Sequence, residues 1–180
     1  MRNIEEKIKG SVIPTADEIE DIVRAKKAIE YNKKNNLNIP YILSGLGPDT
    51  NKFLEGDFNG EINFHKELYE YMMNNTKEIF GVDINALDTV GNILQTFPSE
   101  QEGKYLFFSY PLHNLRTRLI EKDLKREKAI SENLKIIYVN TTKNLFKNLF
   151  YETLAFTKYF LIKRNKLKNL AKGASSLQFP

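Results

Sequence analysis

KYLFFSYPLHNLRTRL, residues Lys104 to Leu119, is the stretch whose reading decides the fold. Tyr105 to Ser109 are apolar or aromatic up to the closing serine and carry no charge, the pattern of a strand buried on both faces. Pro111 then sets φ for the first turn of a helix, where its missing N–H is no loss. His113 and Arg116 follow at i and i+3 and share one face of that helix. A strand that hands directly to a helix places such side chains at the carboxyl edge of a sheet, where open α/β folds bind ligands.

Working outward, the same alternation recurs. Thr15 or Asp17 caps a helix to about Asn35, with Ile19, Ile22, Val23 and Ile29 as its apolar positions. Ile39 to Leu43 reads as a short strand, and Ser44 to Gly60 as a long loop with four glycines, a length that often binds something. A helix is expected from Glu61 to Asn74, with Ile62, Leu68, Tyr69 and Met72 inward, then a strand from Thr76 to Val82. Asn85 or Asp88 caps a helix through Gln95; the helix after Pro111 runs to about Lys128, and Leu134 to Val139 is a last strand. The final helix is expected over residues 143–166, its stripe of Leu145, Leu149, Phe156 and Phe160, with Phe146, Phe150 and Leu161 beside it, packing inward. Before Pro14 only a short strand at Ser11 to Ile13 is legible. Alternating helices and near-continuous apolar strands imply a single α/β domain over 1–180, a three-layer Rossmann-like sandwich with a mostly parallel sheet of four to five strands and helices on both faces.

Composition narrows the classes. With 180 residues and 41% hydrophobic content, one domain with a sizeable core is expected. The absence of cysteine excludes a disulfide framework, a thiolate nucleophile and a zinc–thiolate site. No run approaches the roughly 18 apolar residues of a membrane span, and MRNIEEKIKG lacks an apolar signal core, so a soluble, cytoplasmic protein is expected. The net charge of +4 is uneven: from Thr141 onward there are eight Lys or Arg and one acid, Glu152, which leaves the rest of the chain at −3. That argues against a basic face on the body. The tail's aromatics fall on its apolar stripe rather than among the lysines, so nucleic acid is not the expected partner.

Four strand ends carry polar residues, Ser44-Gly45, Asp83, Ser109 and Asn140, and a parallel sheet gathers such ends along one edge. His113 near its ordinary pKa can act as acid or base, Arg116 presents a fork suited to phosphate or carboxylate, and the helix N-terminus favours an anion. A surface helix face explains that pair equally well. Thr89 and Asn92 share a helix face, with Gly91 between them at a cost of about 1 kcal/mol relative to alanine. SGLGPDTN lacks the lysine of a phosphate loop and the third glycine of a dinucleotide fingerprint. Two histidines, His65 and His113, with scattered acids form no metal site.

Taken in order, these pieces resemble the YdcF-like family (the ElyC/SanA domain of unknown function) from about Arg24 to Phe160. RAKKAIEYNKKNNLNIPYILSG is similar to the family's Arg-containing helix and the strand ending Ser-Gly-Gly, with Ser44 and Gly45 matched and Leu46 in place of the second glycine. Glu61 falls where the family has a helix-opening Glu. DINALDTVGN keeps Thr89 and Asn92 of the family's Glu-x-x-Ser-x-Asn-Thr-x-Glu-Asn, with Asp83, Ala86, Asp88 and Gly91 at the other positions. SYPLHNLRTRL resembles Ser-x-x-x-His-x-x-Arg through Ser109, His113 and Arg116, and Glu152 matches a Glu of the last helix. The resemblance implies a Rossmann-like fold with a pocket at the carboxyl edge, a link to bacterial envelope biogenesis, and S-adenosylmethionine or a nucleotide as cofactor; the family's reaction is not settled. The family's opening strand survives here at most as a remnant at Gly10 to Ile13, and Leu46, Ala86 and Gly91 depart from its site.

Two readings result. One is a small-molecule-binding domain, with enzymatic activity left open, acting on a phosphorylated or nucleotide-like compound: His113 and Arg116 as the catalytic pair, and Ser44, Gly45, Glu61, Asp83, Thr89, Asn92 and Ser109 around the ligand. The other is a non-catalytic interaction domain whose basic C-terminal helix, within 143–180, meets an anionic partner.

Overall fold

A computed structural model of the chain describes residues 7–15, 18–45, 66–76, 79–82, 89–142 and 149–160. Five strands form one parallel sheet: β1 (Ile8–Pro14), β2 (Tyr41–Ser44), β3 (Ile79–Val82), β4 (Gly103–Ser109) and β5 (Leu134–Asn140), in the order β3-β2-β1-β4-β5. Between them lie α1 (Glu18–Lys34), α2 (Lys66–Asn75), α3 (Thr89–Thr96) and α4 (Pro111–Arg126), and residues 149–160 form a further helix, α5. The chain winds outward from β1 through β2 to β3, then returns to lay β4 on the other side of β1. Strand order therefore reverses between β1 and β4, the place where open parallel sheets leave a crevice beyond their carboxyl ends.

Side chains alternate across β1 from Ser11 onward and across β2, β4 and β5, and the two faces sort them accordingly. Val12, Tyr105 and Phe107 face the layer that holds Ile93, Phe97, Ile120 and Leu124 of α3 and α4. Ile13, Leu106 and Phe108 face the opposite layer, with Ala25, Ala28 and Ile29 of α1 and Leu68 and Met72 of α2. This is the three-layer α/β arrangement expected from the sequence, and it explains why Tyr105 to Phe108 are apolar at every position rather than every second one.

Three expectations change. First, the opening strand is no remnant. β1 spans seven residues, pairs with both β2 and β4, and is the middle strand of the sheet. Second, α1 packs Ile22 and Ile29 on the core as its aliphatics suggest, but its inward face is more polar than expected and excludes Val23. Val23 is exposed, whereas Asp21, Arg24, Ala25, Ala28, Ile29 and Asn32 are buried. The polar members of that face have partners waiting: Asn32 Nδ2 donates to Ser11 Oγ of β1 at 2.9 Å, and Arg24 Nη1 donates to the Pro14 carbonyl at 2.7 Å. Third, of the expected final-helix stripe Leu149, Phe150 and Phe160 do not pack inward and Phe156 is half-buried, while Leu145, Phe146 and Leu161 lie outside the described residues. Glu152 and Tyr159 are the buried residues of α5, while Leu149, Phe150, Tyr151, Leu154 and Phe160 are exposed.

α5 is held by polar clasps instead. Arg116 Nε donates to Glu152 Oε2 at 2.7 Å, and the Tyr159 hydroxyl donates to Asp123. Both clasps advance by seven residues on each helix, about two turns, so α5 runs alongside α4 in the same direction. No helix among the described residues is long and apolar enough to cross a membrane.

Candidate functional site

The carboxyl ends of the central strands are tied together by their polar residues. Where β1 ends, the Thr15 N–H and hydroxyl both donate to the Ser44 carbonyl at the end of β2, at 2.7 and 3.0 Å. The Ser44 hydroxyl in turn lies 2.8 Å from that of Thr96 in α3. Gly45 follows at φ +99°, a conformation that L side chains rarely adopt. A Cβ there would also stand 2.8 Å from Asn92 Nδ2 and 3.0 Å from the Thr15 carbonyl, so only glycine lets the chain turn this close to α3. At the end of β4, Ser109 Oγ lies 2.8 Å from His113 Nδ1. Asn114 Nδ2 donates to the Ser109 carbonyl at 3.0 Å and to Asn140 Oδ1 at 2.8 Å, which ties the β4 and β5 ends.

A small cavity sits above the reversal between β1 and β4. Ser44, Thr89, Asn92, Thr96 and His113 line it together with Pro14, Ile93, Phe97 and Phe107, and its wall is mostly apolar. Its enclosed part is about 10 Å³, the room of a single water-sized group. His113 and Ser44, 69 positions apart, thus meet in one cavity.

His113 is the central group of this wall. It is 7% exposed, edge-on to Phe107 and tilted against Tyr110, with ring centroids 6.1 and 5.4 Å apart. Burial, followed by the positive charges of Arg116 and Arg24, holds its pKa well below the usual 6.5, so the ring is neutral at pH 7. Nδ1 is occupied by Ser109. Nε2 is buried and without a hydrogen-bond partner. A neutral imidazole has one donor and one acceptor nitrogen. If the serine donates to Nδ1, Nε2 offers its N–H; if Nδ1 donates, Nε2 offers a lone pair. Either tautomer leaves one unmet hydrogen-bonding edge on the ring, and an unmet buried polar atom costs about 1–3 kcal/mol.

Arg116 does not stand open. Its guanidinium donates Nε to Glu152 Oε2 at 2.7 Å, Nη2 to Oε1 at 3.0 Å and Nη1 to Thr89 Oγ1 at 2.7 Å. The Tyr110 hydroxyl donates to the same Glu152 Oε1 at 2.6 Å. A carboxylate of the chain itself therefore takes the fork in which an anion was expected, and Thr89 spends its hydroxyl on it. Arg24, across the site, is equally engaged: it bonds Asp21 at 2.8 Å, Glu20 at 3.0 Å and the Pro14 carbonyl, and lies over the Tyr110 ring.

Of the residues singled out from sequence, Ser44, Thr89, Asn92 and His113 line the cavity, and Gly45, Ser109 and Arg116 stand directly behind it. Glu61 and Asp83 lie outside the described residues. Thr15, Arg24, Thr96 and Tyr110 belong to the same constellation and were not among the expected site residues. For Arg24 a signal existed: Arg24 and Ala28, and Ala25 and Ile29, are spaced i, i+4, which puts a cation on the inward face with small apolar partners.

The sequence matches no family model, no curated protein and no solved structure.

Proposed function

We propose that this chain is a small-molecule-binding Rossmann-like domain of the YdcF-like kind, and that it takes a phosphorylated or nucleotide-like compound, S-adenosylmethionine among the candidates, at the carboxyl edge of β1 and β4. The observation that carries this reading is the buried His113, whose Nε2 has no hydrogen-bond partner, among the residues that line a cavity at the strand-order reversal. A group buried at that cost finds its compensation in a ligand.

The preference for a phosphorylated ligand rests on the α4 N-terminus, whose dipole favours an anionic group beside His113; the guanidinium groups of Arg24 and Arg116 are taken up by Glu20, Asp21 and Glu152. The enclosed volume admits one polar group, such as a hydroxyl or a phosphate oxygen, with the body of the ligand outside. His113 serves as a hydrogen-bonding group in this arrangement. A ring whose pKa lies well below neutrality is a weak base at pH 7, so recognition is favoured over proton abstraction.

The test is thermal unfolding with ATP, S-adenosylmethionine, glucose 6-phosphate and inorganic phosphate, on the wild type and on two variants. His113→Asn keeps an amide near Ser109 and loses the Nε2 position; His113→Gln places an amide near that position. A ligand at a hundred times its Kd stabilises the wild type by about 2.7 kcal/mol. That gain is expected to vanish in His113→Asn and to survive in part in His113→Gln. Stabilisation by none of the four, or equal stabilisation of His113→Asn, overturns the proposal.

A further inference from the structure

The exposed face of α5 is the feature that the small-molecule reading leaves unused. Phe150 and Tyr151 are 71% and 72% exposed, and Leu149, Leu154 and Phe160 are also exposed, all within twelve residues of one helix. Single exposed apolar residues are ordinary, but Phe150, Tyr151 and Leu154 lie within about 100° of one another round the helix and form a patch. The inward side of α5 is already engaged through Glu152 and Tyr159, and among the described residues nothing covers this patch.

The charge around the patch identifies its occupant. Glu152 is the one acid from Thr141 to the end of the sequence, and it is 2% exposed and paired with Arg116. No carboxylate side chain of the α5 segment therefore meets solvent. Its charged side chain at the surface is Lys158, and the sequence continues past Phe160 with Lys163, Arg164, Lys166 and Lys168. A second copy of the chain would bring two such cationic segments together and is disfavoured. A nucleic acid needs cations interleaved with stacking rings, whereas here aliphatic Leu154 stands one turn from Phe150 and most of the cations follow the helix in sequence. Apolar and aromatic side chains on a helix, bordered by Lys and Arg and by no acid, are what an interfacial helix presents to an anionic bilayer.

We infer that α5 is a peripheral membrane-binding element that lays Phe150, Tyr151 and Leu154 into the headgroup region of an anionic lipid surface, in a stretch of sequence whose exposed and following charges are all cationic. The domain is thereby held at the membrane surface without crossing it. This inference stands independently of the ligand site, because none of these residues lines the cavity.

The full chain is to be sedimented with vesicles of phosphatidylglycerol and phosphatidylcholine, and with vesicles of phosphatidylcholine alone. Binding is expected to the first and not the second. The double variant Phe150→Ser, Leu154→Ser is expected to bind at least about 10-fold more weakly at unchanged Tm. Neutralising Lys163, Arg164, Lys166 and Lys168 to Gln is expected to weaken binding by about 100-fold or more. The chain has no tryptophan, so Leu154→Trp supplies a reporter that needs no comparison of stabilities. Its emission is expected to shift to the blue on the anionic vesicles. Failure to bind those vesicles, undiminished binding by the double variant, or no blue shift overturns the inference. So does a dimer in light scattering that the double variant dissociates, or equally tight binding to RNA.

Discussion

His113 concentrates the physics of the site in one side chain. Its pKa is depressed in the folded protein, so the unfolded chain takes up the proton first as pH falls. The associated stability is complete above about pH 6.5 and is lost below it, with a slope of up to about 1.4 kcal/mol per pH unit until the folded pKa is reached. Urea unfolding between pH 7.5 and 5 should show that loss in the wild type and a smaller one in His113→Asn; identical pH profiles would contradict the burial of a neutral ring. Gly45 makes a separate prediction. Gly45→Ala introduces an unfavourable φ and a Cβ against Asn92 Nδ2. It should cost on the order of 1–3 kcal/mol in unfolding free energy, where an unhindered glycine position would gain stability from alanine.

At the scale of elements, what was legible depended on whether polar residues kept to the outside. β4 and α4 were readable because Tyr105 to Phe108 are unbroken and Pro111 marks the helix start. β1 was legible only at Ser11 to Ile13, because IKGSVIP contains Lys9, Gly10 and Ser11, none of which argues for a central strand. Each has a local reason visible only in three dimensions. Lys9 is exposed at the strand's beginning; a Cβ at Gly10 would lie 3.1 Å from Ile42; Ser11 bonds Asn32. α5 is misleading because its described inward contacts are the Glu152 and Tyr159 clasps, so hydrophobic periodicity points to the wrong side; in α1 Ile22 and Ile29 pack as read, and only Val23 leaves the inward face, which also buries Asp21, Arg24 and Asn32. The clasp between α4 and α5 is testable on that basis. Glu152→Ala strands Arg116 in a largely buried setting and should cost about 3 kcal/mol, with faster hydrogen exchange confined to residues 149–160. Glu152→Gln, which keeps an acceptor oxygen, should cost less. Equal and negligible costs would mean that α5 is held by something other than this pair.

Across the whole molecule, the sheet does the gathering. Five parallel strands with a reversal between β1 and β4 bring Thr15, Ser44 and His113, from three distant parts of the chain, to one edge. The fold class followed from the alternation of elements, and so did the convergence of Ser44 with His113. The engagement of Arg116 by Glu152 did not, since it depends on which face of α5 turns inward. The aromatic run of β4 underlies all of it: Phe108 is fully buried between α1 and the sheet. Phe108→Ala should cost about 3–5 kcal/mol in unfolding free energy, and a loss under 1 kcal/mol would show that this strand is not the centre of the core.

The central claim is that the unmet nitrogen of a neutral, buried imidazole is a ligand's anchor. The most direct measurement is the pair of imidazole nitrogen resonances of His113, recorded by long-range proton–nitrogen correlation while S-adenosylmethionine and then ATP are titrated in. A neutral ring is expected before addition, and a saturable shift at Nε2 larger than that at Nδ1 on binding. A ring protonated at pH 7, or nitrogen shifts that stay unmoved while either compound binds, would contradict the account.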